Sequence, residues 1–240
     1  MMGSFTARAC QGGCGRPVRT CPFAFTGVSN WCPRCRLHVQ RHGDVRQTPV
    51  RKGEVRKVVT RLKRLVKRTR QQEQVETMFR DIGRRLLDVT TDDLTQPAAD
   101  GTVKPWTNFW MSRAVDELGR VVNDVDSVAS GFLVCALFVM QQEDRPARFA
   151  SDDGFRWQLV RMWRAQTSLA YGSTWNEEQD KAIGWYRNLP NRVTRHVSEI
   201  LVTAYGPVAA YMTTAVRKDR ERQAVFRAKL DAAFRPLVAD

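Results

Sequence analysis

The chain has 240 residues, of which 42% are hydrophobic and 27% charged, a composition that supports a folded core. Its net charge is +14, and the excess lies at one end. Residues 1–90 contain 20 Lys and Arg against 6 Asp and Glu, whereas residues 91–240 contain 19 of each. A charge that served solubility alone would be spread along the chain, so this asymmetry indicates an anionic partner for the N-terminal part.

Neither a secretion signal nor a membrane span is expected. Residues 1–9 lack a basic region followed by an apolar stretch, and the longest apolar run, 128–140, is too short to cross a bilayer. We therefore expect a cytoplasmic protein without a membrane partner. Thiols stay reduced in the cytoplasm, so clustered cysteines there are more typical of metal ligands than of disulfides.

Five of the six cysteines fall within residues 10–44. A structural zinc ion is bound by four nitrogen or sulfur ligands, usually delivered as two pairs from two short loops. The pairs that fit this pattern are Cys10 with Cys14 and Cys32 with Cys35. We predict a structural Zn²⁺ site formed by these four residues, with Cys21 and His38 as alternatives to one of them.

The sequence around these cysteines also matches a known motif. The matching residues are Cys14-Gly15-Arg16-Pro17 in the first half and Cys32, Arg41, His42, Gly43 and Asp44 in the second. This segment resembles the small Cys/His zinc modules of phage and mobile-element proteins, including HNH-type endonucleases. The chain departs from that pattern at Cys35, where the family commonly has histidine, and in a longer insert that contains Cys21. The resemblance implies bound zinc and a phage or mobile-element origin.

The resemblance does not extend to catalysis. An HNH nuclease uses a histidine to activate water and further His or Asn residues to hold a catalytic metal. The chain has three histidines, two of which, His38 and His42, lie inside the zinc module, while His196 stands alone. We therefore predict no enzymatic activity and no catalytic residue, and keep a divergent HNH-type nuclease as the less favoured alternative.

A strongly basic segment follows the cysteines. Residues 51–70 contain ten Lys and Arg and one acid. Apolar residues recur in it at helical spacing: Val55, Val58, Val59, Leu62, Leu65 and Val66. The spacing predicts an amphipathic helix with its apolar stripe on the protein and its cations in solvent.

Phosphate is the ligand that such a row of cations favours, because neutralising phosphates releases condensed counterions. We predict nucleic acid, with DNA favoured, as the partner of the zinc module and the basic helix. The predicted contact residues are Arg34, Arg36, Arg41, Arg56, Lys57, Arg61, Lys63, Arg64, Lys67 and Arg68. A solvated helix face, a membrane-surface helix and one strand of a coiled coil are the alternatives for the same pattern.

The apolar stripe changes phase after the basic run. Val75, Phe79 and Leu86 lie roughly opposite the first stripe, so either one long helix bridges two packing surfaces or the chain turns near residue 72. The remaining pattern predicts helices and no sheet, at about 106–125, 126–143, 154–170, 175–188, 190–204 and 207–235. Thr174 with Glu177 predicts a capping box for the fourth of these helices, and Pro207 suits the first turn of the last.

The sequence thus predicts a mostly α-helical protein. Its expected parts are a zinc-binding module at 1–48, a basic amphipathic segment at 49–90, a linker at 91–105 and an all-α domain at 106–240. Tryptophans and Cys135 are expected in the core of that domain, which would provide a homodimer contact or bind a protein partner. We expect a role in transcription control or DNA processing. The alternative is a protein-interaction factor that docks on a polymerase or virion component.

Overall fold

The computed structural model describes residues 8–9, 17–18, 33–91, 105–143, 148–176 and 181–234. These residues are mostly helical, which confirms the predicted mostly α-helical character, whereas most of the predicted zinc module, 1–48, lies outside them. The helices are α1 (Pro33–His42), α2 (Lys52–Arg68), α3 (Gln72–Thr91), α4 (Pro105–Asp124), α5 (Ser127–Glu143), α6 (Asp152–Arg164) and α7 (Asn191–Phe234). Two antiparallel pairs accompany them: β1 (Arg8–Ala9) with β2 (Pro17–Val18), and β3 (Tyr171–Asn176) with β4 (Lys181–Tyr186).

Helix α5 forms the centre of the core. All residues from Val134 to Met140 are buried, and the helix contacts α2, α3, α6 and α7. A helix that is apolar around its circumference has to be enclosed in this way. The prediction of a central buried helix with Cys135 as a buried thiol is confirmed, and burial raises the pKa of that thiol.

The basic segment is helical and packs on α5 through its apolar stripe. Val55, Leu62, Leu65 and Val66 are buried, while Val58 and Val59 lie partly buried against the same core. The chain then turns at Thr69 and Arg70, where Arg70 has a φ of 58°, and α3 starts at Gln72. Of the two alternatives for this segment, the structure has the turn near residue 72 rather than one long helix, and α2 and α3 share one core with the helices after residue 105.

The predicted break at Pro207 is wrong, because α7 is one helix of 44 residues with Pro207 inside it. Buried residues recur at a helical interval on both sides of the proline: Val193, Val197, Leu201, Tyr205, Val208, Met212 and Val216. The same face thus packs on the core from Val193 to Val216. This packing offsets the hydrogen bond that proline removes from a helix interior.

The predicted helix at 175–188 and the prediction of no sheet are also wrong. The chain forms a hairpin there, with Thr174 paired to Ile183 rather than capping a helix. The preceding helix, α6, ends at Arg164, short of the predicted residue 170, although Ser151 Oγ caps its start by accepting from Gly154 N–H at 3.1 Å. Tyr186 and Arg187 tie the hairpin to α6, because both accept hydrogen bonds from the buried Arg164 guanidinium.

Tryptophan positions follow the core prediction where they are described. Trp157 and Trp163 of α6 are buried, and Trp110 of α4 is partly buried against the core. The side chains of Trp106, Trp175 and Trp185 lie outside the described part of the chain, as does most of the predicted linker, 92–104.

A pair of glycine substitutions tests the packing of α3 on α5. A Cβ added to Gly131 would overlap the ring of Phe79, so we expect Gly131→Ala to lower the free energy of unfolding by about 1–3 kcal/mol. Gly53 in α2 has no neighbour within 4 Å of such an atom, so Gly53→Ala should raise it by about 0.5–1 kcal/mol. Urea unfolding of the two variants measures whether the free energy of unfolding falls for the first and rises for the second. Equal effects of the two substitutions would contradict the proposed contact.

Candidate nucleic-acid interface and zinc-module residues

The start of α2 is fixed to the rest of the protein by Arg148. Its guanidinium donates to the Glu54 carboxylate at 2.9 and 3.1 Å and to the carbonyl oxygens of Thr48 and Pro49 at 3.1 and 2.8 Å. Burial by itself would raise the pKa of Glu54, but the hydrogen bonds from Arg148 and from the Arg51 amide lower it. The single acid of α2 is therefore held by these contacts at the end of the helix where its charge suits the dipole.

The cations of α2 lie opposite its buried stripe. Six of the predicted contact residues on this helix are exposed: Arg56, Lys57, Lys63, Arg64, Lys67 and Arg68. Arg61 is half-buried, and the Lys63 ammonium lies 5.4 Å from the centre of the Phe132 ring. We call the six exposed residues the α2 cationic face. The predicted separation of apolar and charged faces is confirmed by this arrangement.

Few carboxylates oppose this face. Arg56, Lys57, Arg64 and Lys67 form no ion pair with any acid in the described residues, whereas Arg68 pairs with Asp219 of α7. The α3 helix differs, since its Arg80 and Arg84 pair with acids one turn away on the same helix. The α2 cationic face is therefore a source of positive potential rather than a network of surface ion pairs.

Helix α1 presents the other predicted contact residues. Arg34, Arg36 and Arg41 are exposed, and Cys35 between them is buried, with 4% of its surface accessible. Gly43 ends the helix with a φ of 78°, and a Cβ there would lie 2.6 Å from the Asp153 carbonyl oxygen. This close approach seats the end of α1 on the start of α6.

Both histidines of α1 form contacts with the residues that hold this helix against the rest of the protein. His38 Nε2 lies 2.7 Å from the Gln47 carbonyl oxygen, which only accepts, so this nitrogen is the protonated one. His42 Nδ1 lies 3.2 Å from Gln158 Nε2, and the two imidazole rings are 4.6 Å apart. Burial, together with the charges of His38, Arg161 and Arg41, lowers the pKa of His42 to about 4.

The zinc prediction rests mostly on residues outside the described ranges. Cys10, Cys14, Cys21 and Cys32 all lie there, and only Cys35 and His38 of the candidate ligands are described. No cluster of three or more Cys, His, Asp or Glu residues able to hold a metal occurs in the described residues. The pairing of Arg8 with Val18 and of Ala9 with Pro17 does bracket the segment that contains Cys10 and Cys14. The four-cysteine site stays a prediction.

Sequence reasoning missed the polar residues that hold these helices in place. Gln47 and Gln158 are fully buried; Gln47 Oε1 accepts from Ala150 N–H at 2.9 Å, and Gln158 Oε1 accepts from Val50 N–H at 3.0 Å. Asp219 and Arg148 were missed as well. Each of these side chains contacts residues about a hundred or more positions away in the sequence. The periodicity of apolar residues along the chain cannot predict contacts over such separations.

The third histidine lies in a different environment. His196 of α7 has Nδ1 3.5 Å from the Glu199 carboxylate and borders an apolar groove between α3, α4 and α7.

Within the described residues, no single helix is long and apolar enough to cross a membrane, and only the bent pair Phe109–Asp124 with Ser127–Gln142 meets that criterion jointly. Known protein families, curated proteins and solved structures give no match to this chain.

The His42 environment predicts a pH-dependent stability. The pKa of about 4 in the folded protein lies below the ordinary value of 6.5, so between these values the unfolded chain binds more protons. The free energy of unfolding should therefore fall as the pH decreases from 6.5 towards 4. Urea unfolding across this range measures the fall, which His42→Asn should reduce. A wild-type stability that stays constant over this range would contradict a half-buried imidazole that is neutral in the folded protein.

Proposed function

We propose that this protein binds nucleic acid without catalysing a reaction, with DNA as the expected partner. The α2 cationic face and the arginines of α1 contact phosphates, and a structural zinc ion on Cys10, Cys14, Cys32 and Cys35 holds the N-terminal module. The resemblance of that module supports a phage or mobile-element origin. It also supports a role in transcription control or DNA processing.

The observation that carries the proposal is the charge of the α2 cationic face, in which Arg56, Lys57, Arg64 and Lys67 form no ion pair among the described residues. Its cations project from a helix whose opposite side is buried against α5, so their spacing is set by the core. From Arg56 to Arg68 the face extends over about 18 Å, at 1.5 Å of rise per residue. This length matches about five nucleotide steps along one strand of B-form DNA. Contacts of this kind give affinity and register rather than base recognition.

The salt dependence of binding tests this function. Arg64→Gln with Lys67→Gln should weaken binding to a DNA duplex and lower the slope of log affinity against log salt by about 1.8 in magnitude, because two phosphate contacts are lost. The matched control, Arg80→Gln with Arg84→Gln on α3, removes the same charge from residues already paired with acids. It should change the slope little. Fluorescence anisotropy at several salt concentrations provides the measurement, and equal losses in the two variants would contradict the proposal.

Cys35 fits the zinc site through its position. It lies in the first turn of α1, where the helix N-terminus favours a thiolate, and its burial suits a metal ligand enclosed by protein. His38 retains Nδ1 as the nitrogen with a free lone pair, so the alternative ligand set that includes it also fits. Zinc would cross-link the segments of the module and stabilise their fold.

Metal analysis tests the zinc assignment. The purified protein should contain about one Zn²⁺ per chain, and Cys35→Ser should reduce this content strongly, because a structural site needs its four ligands. Cys135→Ala provides the control, since this thiol is buried in the apolar core and should leave the zinc content unchanged. Full zinc retention by Cys35→Ser would exclude this residue from the site.

One observation favours the alternative of docking on another protein. The groove between α3, α4 and α7 is lined largely by apolar side chains and has a volume of about 540 Å³. Exposed apolar surface of this kind is typical of protein contacts. Under this alternative the polymerase or virion component would be the partner, and the binding of DNA would be absent or independent of salt.

A further inference from the structure

The last part of α7 extends beyond the core. Among the side chains of α7 that the structure describes, Val216 is the final fully buried apolar one, and every residue from Arg220 to Ala228 is exposed. The helix nevertheless continues to Phe234, about 27 Å beyond Val216 at 1.5 Å per residue. A helix that leaves the core gains no stability from tertiary packing, so its exposed surface is available to a ligand.

The two basic helices meet where this extension starts. Arg68, near the end of α2, pairs with Asp219, and Gln223 Nε2 donates to the same carboxylate at 2.9 Å. A cleft of about 460 Å³ opens beside this pair. Its walls are formed by Arg68, Asp219, Arg222, Gln223, Phe226 and Arg227. The cleft thus combines three guanidinium groups with one aromatic ring.

Phe226 is the unusual member of this set. Its side chain is 64% exposed, although a phenylalanine gains about 1.5–3 kcal/mol from full burial. The surrounding stretch, residues 217–228, contains five Lys and Arg against two acids, and one of those acids is Asp219, already paired with Arg68. An exposed aromatic ring among exposed cations is the combination that binds an unstacked base next to its phosphates.

We propose that this cleft binds single-stranded nucleic acid, with one base stacked on Phe226 and the neighbouring phosphates on Arg222 and Arg227. The inference rests on the proposed function and makes it more specific, since the strand would continue from the α2 cationic face across Arg68. A duplex cannot satisfy this site in the same way, because its bases are already stacked on one another. The cleft therefore favours unpaired strands or strand ends.

Charge decides against a second copy of the chain as the occupant. Two such extensions packed through Phe226 would bring Arg222 and Arg227 of each copy close to those of the other. Like charges brought together across an interface oppose association. A polyanion meets the same residues with complementary charge.

Binding of one oligonucleotide as a single strand and as a duplex tests the inference. Phe226→Ala should weaken binding to the single strand about tenfold and change binding to the duplex by less than about twofold. Phe226→Trp should retain the single-strand affinity, because it keeps an aromatic face. Val225→Ala is the matched control, since Val225 is the neighbouring residue and is also exposed, at 57%, but offers no ring for stacking.

The outcomes separate this inference from the function on which it rests. If Arg64→Gln with Lys67→Gln weakens binding while Phe226→Ala leaves the single strand unaffected, the cleft assignment is overturned and the α2 function stands. If the wild-type protein binds neither strand form, both are overturned. If sedimentation shows that Phe226→Ala dissociates a dimer without affecting single-strand binding, the occupant is a second copy and the inference is wrong.

Discussion

The enclosure of α5 is the constraint on which the rest of the structure depends. This helix is apolar on all sides, so no face of it can be left to water, and four other helices pack against it. One of them is α2, whose single apolar stripe is buried in that contact. Most of its cations consequently lie on the side that faces solvent. The same packing that completes the core therefore produces the charged surface.

Much of the fold follows from helical periodicity. The stripe of α2, the buried α5 and the turn before α3 are all visible in the spacing of apolar residues, and the structure confirms them. The errors at Pro207 and at 175–188 arise where local signals compete with packing. Pro207 is typical of a helix start, yet the buried stripe of α7 continues through it without a change of phase. Thr174 with Glu177 suggested a capping box, whereas Thr174 lies in a strand and pairs with Ile183.

The candidate site was predictable only in part. The apolar stripe of α2 predicts which of its cations face solvent. Whether those cations pair with acids depends on residues that are distant in sequence. Glu54 is held by Arg148, and Arg68 by Asp219, across separations that no local pattern encodes. The same holds for His42, whose lowered pKa arises mainly from burial and whose partner Gln158 belongs to α6. Long-range polar contacts thus determine which charges remain available to a ligand.

The most direct test of the central claim is an NMR titration of the protein with a short DNA strand, following backbone amide signals. We expect the largest shifts along 56–68 of α2, with smaller changes on the paired cations of α3. Shifts confined to the groove between α3, α4 and α7, with the α2 signals unchanged, would contradict the claim that the α2 cationic face binds nucleic acid.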